Sequence, residues 1–578
     1  NMKNITFANF NKTYLDSVYT KDVLSCFNML IDKESPFYIT GIEVKDTSDA
    51  LNYIETWTVH LTDENKKRST IKVDLPKFQN ERFMYLEGTR WIINNQNFYN
   101  PLVKDTPDTV IITTNYNKVT VRRKSTKSLG VVERIFSLIK KTGDTKMFVT
   151  GNSSTSNMRF ISTLEYDELS QTLFKYTSGK CTLYFSRNYI QDNLSDKIPR
   201  DIKGDEFYIG HEGNTPVLIN EDTGLDRTGR TIAEIIEENL PDDYKSIYAS
   251  IKGGKQMMYV EGKLAGEFIP IITTLVVWIG ITKALNEMGI EWKFNPGMKR
   301  VPMASSSRRY VRFADGVLEY EAKIFAELIL NGLAPMKPEK FNFADFDSEV
   351  SYDDFIYSQW GSYNGITELK NFYEFLVDPI TKDVCRDMLL PETSQGLLIM
   401  AVQLLADNKF VSKASDQSYR TRSIETIPAI LYSQLASQYK KYVKSGRRTP
   451  MTLNRKCVIS ALIGLKTVEA YSTLNPVLEI GKTHSISTKG YRGSNSEHSY
   501  NDEKKRSYDP TSIGKLALTT SADANVGVTK SLVIEPTIAN ARGYRKQVDD
   551  INELKDVNVF SPVEMLTPGS ARMDDPIR

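Results

Sequence analysis

Cysteine and histidine are scarce in this chain, with four of each among 578 residues. Cys26, Cys181, Cys385 and Cys457 stand far apart in sequence, and His60, His211, His484 and His498 lie near none of them. That spacing excludes the common zinc motifs and a disulfide framework, and it fits a reducing compartment. Long apolar runs are missing as well. The longest, Phe268 to Ile281, holds fourteen residues with Pro270 inside it; a bilayer span needs roughly 20, so the run reads as a buried helix or a strand-helix junction and no membrane partner is expected. The first residues, NMKNITFANFNK, contain no apolar signal core. Charge of one sign is not in excess either. The 74 Lys and Arg against 72 Asp and Glu leave a net charge of +2, so any surface for nucleic acid must come from local clustering. No internal repeat or low-complexity tract appears.

What is present is the composition of an ordinary globular protein, 40% hydrophobic and 25% charged, in a chain long enough for about three or four domains. Residues 36–125 alternate apolar and polar positions in several runs, the period of strands, so this part is expected to be mostly sheet. Val131 to Lys141 switches to helical spacing, and short strand-like runs return between 150 and 210. The acidic segment 230–244 reads as an amphipathic helix stopped by Pro241. A strand, the apolar run and a helix are expected between Lys255 and Phe294. Residues 368–408 read as helices broken by Pro379 and Pro391, after which Arg420, Arg422 and Glu425 open a long helix reaching about Tyr442. The cations at its end, Lys440, Lys441, Lys444, Arg447 and Arg448, are what the helix macrodipole favours, with strand binding as a second reading. The fold class expected is α+β, multidomain, with mixed sheets and helices.

Four segments carry a resemblance. Leu474 to Gly490 reads LNPVLEIGKTHSISTKG, in which Asn475, Pro476, Glu479, Ile480, Ile486, Ser487 and Gly490 recur at fixed spacing. Residues 74–96 contribute Pro76, Gly88, Thr89, Ile93 and Gln96; residues 508–527 contribute Asp509-Pro510-Thr511, Gly514-Lys515 and Asn525-Val526-Gly527; the last residues are Asp574-Asp575-Pro576-Ile577-Arg578. In this order they resemble the second-largest (β) subunit of multisubunit DNA-directed RNA polymerases. The departures from bacterial sequences are most similar to the divided β subunits of giant bacteriophages, since the chain stops where an undivided β subunit would continue.

The resemblance implies a first part of a protrusion over 1–250, a lobe over 251–415, a return helix region over 416–470, and a fork with the start of the active-centre region over 471–578. It implies that Arg578 contacts the phosphates of the incoming nucleotide, oriented by Asp574 and Asp575. An arginine fork suits that role because it pairs two phosphate oxygens and keeps its charge. Lys482, His484, Ser487, Lys489, Arg492, Lys504, Lys505, Arg506, Lys515 and Lys530 form the expected nucleic-acid surface, because clustered cations drive phosphate binding; residues 491–507 read as a mobile loop. No metal ligand is expected in this chain, since the resemblance puts the magnesium ion on a partner, the largest subunit. Asn342 to Glu349 is similar to that subunit's metal loop but lacks its glycine and third aspartate, and reads as an acidic surface loop. The other partners implied are a C-terminal β polypeptide, a promoter-specificity factor, template DNA, nascent RNA and nucleoside triphosphates, in the cytoplasm of an infected bacterium or also in the virion.

The function this implies is template-directed RNA synthesis as one subunit of a larger enzyme. The alternative is a nucleic-acid-binding or virion structural protein on the same scaffold. The positions that contact rifampicin in bacterial relatives become Ala470, Thr473, Lys482 and Ser485, with only Ser487 kept, and each polar group of the drug left unmet costs about 1–3 kcal/mol. RNA synthesis by this protein is therefore expected to continue at rifampicin concentrations that stop a bacterial polymerase; inhibition there would refute the reading.

Overall fold

The computed structural model describes residues 6–31, 37–64, 66–125, 146–148, 157–159, 172–178, 181–186, 206–212, 215–220, 223, 225–230, 232–238, 242–250, 257–264, 266–298, 301–302, 307–347, 364–407, 418–472, 474–493, 506, 508–520, 527–546, 548 and 550–569. It is an α+β chain that divides into two compact units, one of residues 1–124 with 259–578 and one of residues 125–258. The boundaries expected near 415 and 470 fall inside the larger unit.

Among the described residues of the smaller unit are three antiparallel hairpins, Lys146–Phe148 with Asn157–Arg159, Thr172–Ser178 with Cys181–Ser186, and Glu206–Glu212 with Thr215–Asn220. Helices Ile232–Glu238 and Asp242–Ser250 follow, on either side of Pro241. The helix expected over 131–141 lies outside the described residues.

In the larger unit the alternating N-terminal sequence forms the sheet it calls for. Phe37–Asp46, Ile54–Asp63 and Arg68–Pro76 make an antiparallel meander, whose inward residues Val59, Leu61, Ile71, Val73 and Leu75 are buried. They share one core with Val23 and Phe27 of the helix Thr20–Asn28, with Leu30 of the turn Met29–Ile31 that follows it, and with Ile427, Leu431 and Leu435 of the long helix Thr426–Lys444. A second core lies under the sheet ordered Glu267–Pro270, Met258–Leu264, Lys118–Ser125, Thr109–Thr113, Leu102–Thr106. The apolar run begins as the edge strand of that sheet and turns at Pro270 into the helix Ile271–Ile279, which is buried along most of its length. No helix among the described residues is long and apolar enough to cross a membrane.

Pro379 does not simply break a helix. It opens one, Pro379–Asp387, at a position whose missing N–H is no loss, while Asp378 caps it from Ile380 N and Thr381 N at 3.1 and 3.0 Å and also accepts from the side chain of Asn115 at 3.0 Å.

One expectation is corrected here. Arg420 and Arg422 do not open the long helix; they lie in the strand Tyr419–Arg422, paired antiparallel with Asn95–Tyr99, and the helix starts after Glu425. The reason is a buried ion network. Arg420 grips Glu425 with two bonds, at 2.8 and 2.5 Å, and both side chains are almost fully enclosed. Arg542, from a distant loop, reaches the same Glu425 at 3.3 Å and binds Asp22 of the N-terminal helix at 2.6 and 2.8 Å. Tyr14 donates to Asp22 at 2.7 Å. Burial works against the charge on Glu425, but the guanidinium of Arg420, then Arg542, outweighs it and holds the carboxyl down at about 2. Burial, helped by the nearby negative charge of Glu425, lifts Asp22 above the usual carboxylate range against the pull of Arg542 and Tyr14; the two short bonds from Arg542 and the Tyr14 hydroxyl are the geometry of the ionised form.

The loop that supplies Arg542 is fixed by close approach. Gly543 has φ +74°, and a Cβ there would sit 1.7 Å from the Thr421 carbonyl oxygen, while the Gly543 carbonyl accepts from Thr421 N at 2.8 Å. No other residue fits.

Glu425→Gln leaves two buried guanidinium groups without their shared anion, and breaking such a pair costs about 3–5 kcal/mol. Because the folded carboxyl lies at about 2 against 4.5 for the free group, its contribution is present above about pH 4.5 and is lost as pH falls through about 2. Urea unfolding of the variant should show that destabilisation at neutral pH and a flatter loss of stability on acidification; an unchanged midpoint would refute the network's role.

Candidate nucleic-acid interface

Three of the four sequence segments singled out above reach one mixed sheet of five strands, ordered Tyr419–Arg422, Asn95–Tyr99, Ser485–Ser487, Thr529–Leu532, Leu516–Thr520; the fourth lies outside the described residues. Asn475 caps the helix Pro476–His484 by accepting from Val477 N and Leu478 N, with Pro476 at the first helical position; the chain then extends into Ser485–Ser487, which pairs parallel with Asn95 and Gln96 and antiparallel with Thr529–Ser531. Phe7 and Phe10 of the helix Phe7–Tyr14 cover the apolar side, with Ile486, Leu516 and Leu532.

Gln96 is the joint of this site. It is buried, its Oε1 accepts from Arg422 Nε at 2.7 Å, and its Nε2 donates to the Tyr491 carbonyl at 3.2 Å. Gly490 and Gly493 leave room for it, since a Cβ on either would come within 3.0 and 2.5 Å of Nε2. Arg422 is fully buried yet meets only neutral acceptors, Gln96, Asn115 Oδ1 at 2.5 Å and the Tyr491 carbonyl, and stacks over Phe98 at 3.5 Å. Burial pushes it down to about 9, so it remains a cation at neutral pH. The start of the 491–507 segment is thereby tied to the sheet at Tyr491.

The expected nucleic-acid residues separate into groups. Lys515 is buried, and its ammonium donates to the Thr511 carbonyl at 2.6 Å, a bond that closes the turn after Asp509. Ser487 is buried in its strand, and its hydroxyl accepts from Lys489 N at 3.2 Å. His484 lies 4.9 Å from the Phe7 ring, with carbonyls of Ile480 and Ile534 at its two nitrogens; burial lowers its pKa, so it is neutral at pH 7 and offers phosphate no charge. Lys482 pairs with Glu469 at 3.5 Å. Lys489, Arg492, Arg506 and Lys530 are half-exposed on or beside the sheet. Arg492 is in the left-handed region at φ 56° and leans on the Tyr491 ring at 5.3 Å, while Lys530 stands 4.4 Å over Tyr508. These four can neutralise phosphate, and aromatic neighbours hold Arg492 and Lys530 in place. Lys504, Lys505, Asp574, Asp575 and Arg578 lie outside the described residues.

Asp345 and Asp347 of the acidic loop are engaged in capping. Asp347 accepts from Thr282 N and Oγ1 at 3.0 and 2.5 Å, and Asp345 from Asn342 N at 2.9 Å. Among the described residues no group of three His, Cys, Asp or Glu is placed to hold a metal ion. Sequence reasoning passed over the Gln96–Arg422–Tyr491 joint. Its signal was the spacing of Arg420 and Arg422, which puts both on one face of a strand, opposite Phe98.

Fold and site together define an α+β protein with cations and close-packed glycines gathered along one sheet. Residues 1–497 match the family described as bacteriophage RNA polymerase, and the chain belongs to that family. A comparison with curated proteins finds no match. The family match corrects the resemblance to a divided β subunit, because this polymerase is a single-subunit enzyme. The expected protein partners, a C-terminal β polypeptide, a β′-like largest subunit and a specificity factor, fall with it. The reason is extent: the resemblance rests on short, separated motifs, whereas the family match runs through most of the chain.

Lys530→Ala should leave the melting temperature unchanged and reduce the slope of log affinity for single-stranded nucleic acid against log salt by about 0.7, one phosphate contact. Lys515→Met should do the opposite, lowering stability with the slope unchanged. A reversed pattern in salt titrations and melting curves would overturn this division.

Proposed function

We propose that the chain carries out DNA-templated RNA synthesis in the cytoplasm of an infected bacterium, joining nucleoside triphosphates to a growing RNA 3′ end with release of pyrophosphate. The observation that carries this reading is the family match over residues 1–497. The sheet described above supports it, because a rim of half-exposed cations on a rigid strand platform suits a polyanion held in register while it advances.

In this reading Lys489, Arg492, Arg506 and Lys530 hold the backbone of template or product, and Tyr491, fixed through Gln96 and Arg422, sets where the following segment leaves the sheet. Buried Lys515 and Ser487 and neutral His484 shape the platform. Nucleotidyl transfer needs charge stabilisation at the reacting phosphate, which a magnesium ion supplies in such enzymes. Arg578 is proposed to contact the triphosphate, with Asp574 and Asp575 orienting it.

The test is to tag the full-length protein in its host, wash it at high salt until no other polypeptide remains, and measure nucleotide incorporation on an RNA-primed DNA template. Incorporation should stay with this chain, and Arg578→Ala should raise the KM for nucleoside triphosphates about tenfold, the scale of a lost charged phosphate contact. Incorporation that leaves with a removed polypeptide, or DNA binding without synthesis, would overturn the proposal.

A further inference from the structure

A groove of about 620 Å³ lies away from the sheet, between the end of the long helix and the turn at Tyr116. Ser437, Lys440, Lys441 and Lys444 line one wall, and their spacing of three, four and seven residues puts them along one helix face. Tyr116 and Phe372 make the opposite side, with their rings 6.4 Å apart and edge to face. Asn117 and Asn371 add amides, and among the described residues Glu368 is the one carboxylate in the lining.

The helix macrodipole explains cations at this end, but it does not explain an aromatic wall facing them across a concavity. Lys440 donates to the Tyr116 hydroxyl and sits 4.7 Å from the centre of that ring, so the aromatic wall and the cationic wall are fastened together. Lys441 and Lys444 are exposed, and among the described residues neither forms an ion pair. Their charge is available to a ligand.

We propose that this groove binds single-stranded nucleic acid, with Lys441 and Lys444 on successive phosphates and a base against Tyr116. Cations that track a backbone beside a ring on which bases stack are the two components that sequence-tolerant single-strand binding requires. A double helix offers Tyr116 no free base face, since its bases are already stacked on one another. The proposal rests on the nucleic-acid-handling reading above and adds a second site to it, distant in sequence from the cations of the five-stranded sheet.

The experiment uses the full chain without nucleoside triphosphates, so binding here is read separately from synthesis. Fluorescence anisotropy with a labelled twelve-nucleotide oligothymidylate, titrated between 50 and 200 mM salt, compares wild type with Lys441→Glu/Lys444→Glu and with Tyr116→Leu. The double variant should bind at least tenfold more weakly, and its salt slope should fall by about 1.4, two phosphates at about 0.7 each. Tyr116→Leu should weaken binding about tenfold with little change in slope, the mark of lost stacking, and a bromodeoxyuridine-substituted oligonucleotide should crosslink to Tyr116 in the wild type. Melting curves of all variants verify that they fold. Unchanged affinity and slope in a folded double variant would overturn the proposal, as would equal losses for single strand and duplex, or a groove that takes free nucleoside triphosphate and not the oligonucleotide.

Discussion

Glu425 between Arg420 and Arg542 is the interaction on which the rest of this architecture depends. One buried carboxylate receives bonds from two guanidinium groups, and Arg542 carries the link on to Asp22 and, at 3.3 Å, to Asp383. The network thereby joins the N-terminal helix, the helix that begins at Pro379, the strand before the long helix, and a loop more than a hundred residues beyond it. Charges removed from water are costly unless each is matched. An arrangement in which all are matched at once specifies one way of assembling these elements.

The sheet that carries the candidate site is built outward from this point. Arg420 and its strand neighbour Arg422 both face Phe98, and Arg422 passes the constraint through Gln96 to Tyr491. Arg545, one turn beyond Arg542, adds a bond to Asn97 Oδ1 at 2.5 Å. The Asn95–Tyr99 strand is thus held from one side by side chains of the network and joined on the other to the Ser485–Ser487 strand, where the basic, glycine-rich segment begins. Rigidity at the base of that segment lets the cations beyond it keep a fixed spacing, which a surface that reads a phosphate backbone requires.

Much of the local structure was legible in the sequence. The period-two runs of residues 36–125 became strands, Pro379 opened a helix and Pro391 fell between two, and the apolar run from Phe268 became a strand-helix junction, because each pattern reports a local preference that burial reinforces. The strand at Tyr419–Arg422 was not legible as such. Its arginines read as the start of a helix because Gln96 and Asn115, which hold Arg422, and the Arg542 carbonyl, which accepts from Arg420, lie more than a hundred residues away. The same blindness to distant contacts affected the site. Lys515, His484 and Ser487 carry the residue types of a nucleic-acid surface, yet the structure turns the first into a buried turn-closing donor, keeps the second neutral against Phe7 and buries the third. The family resemblance failed for a related reason, since short motifs of glycine, proline and basic residues do not specify the chain around them.

The central claim, that this polypeptide itself makes RNA, is tested most directly by covalent self-labelling. An RNA primer carrying an aldehyde at its 5′ end is attached to a nearby lysine as an imine, fixed by borohydride reduction, and then extended from its free 3′-OH on a DNA template with one radiolabelled nucleoside triphosphate. The account predicts that the label becomes fixed to this chain, in fragments containing the half-exposed cations between Lys482 and Lys530. Template-dependent label fixed to any other polypeptide would contradict it.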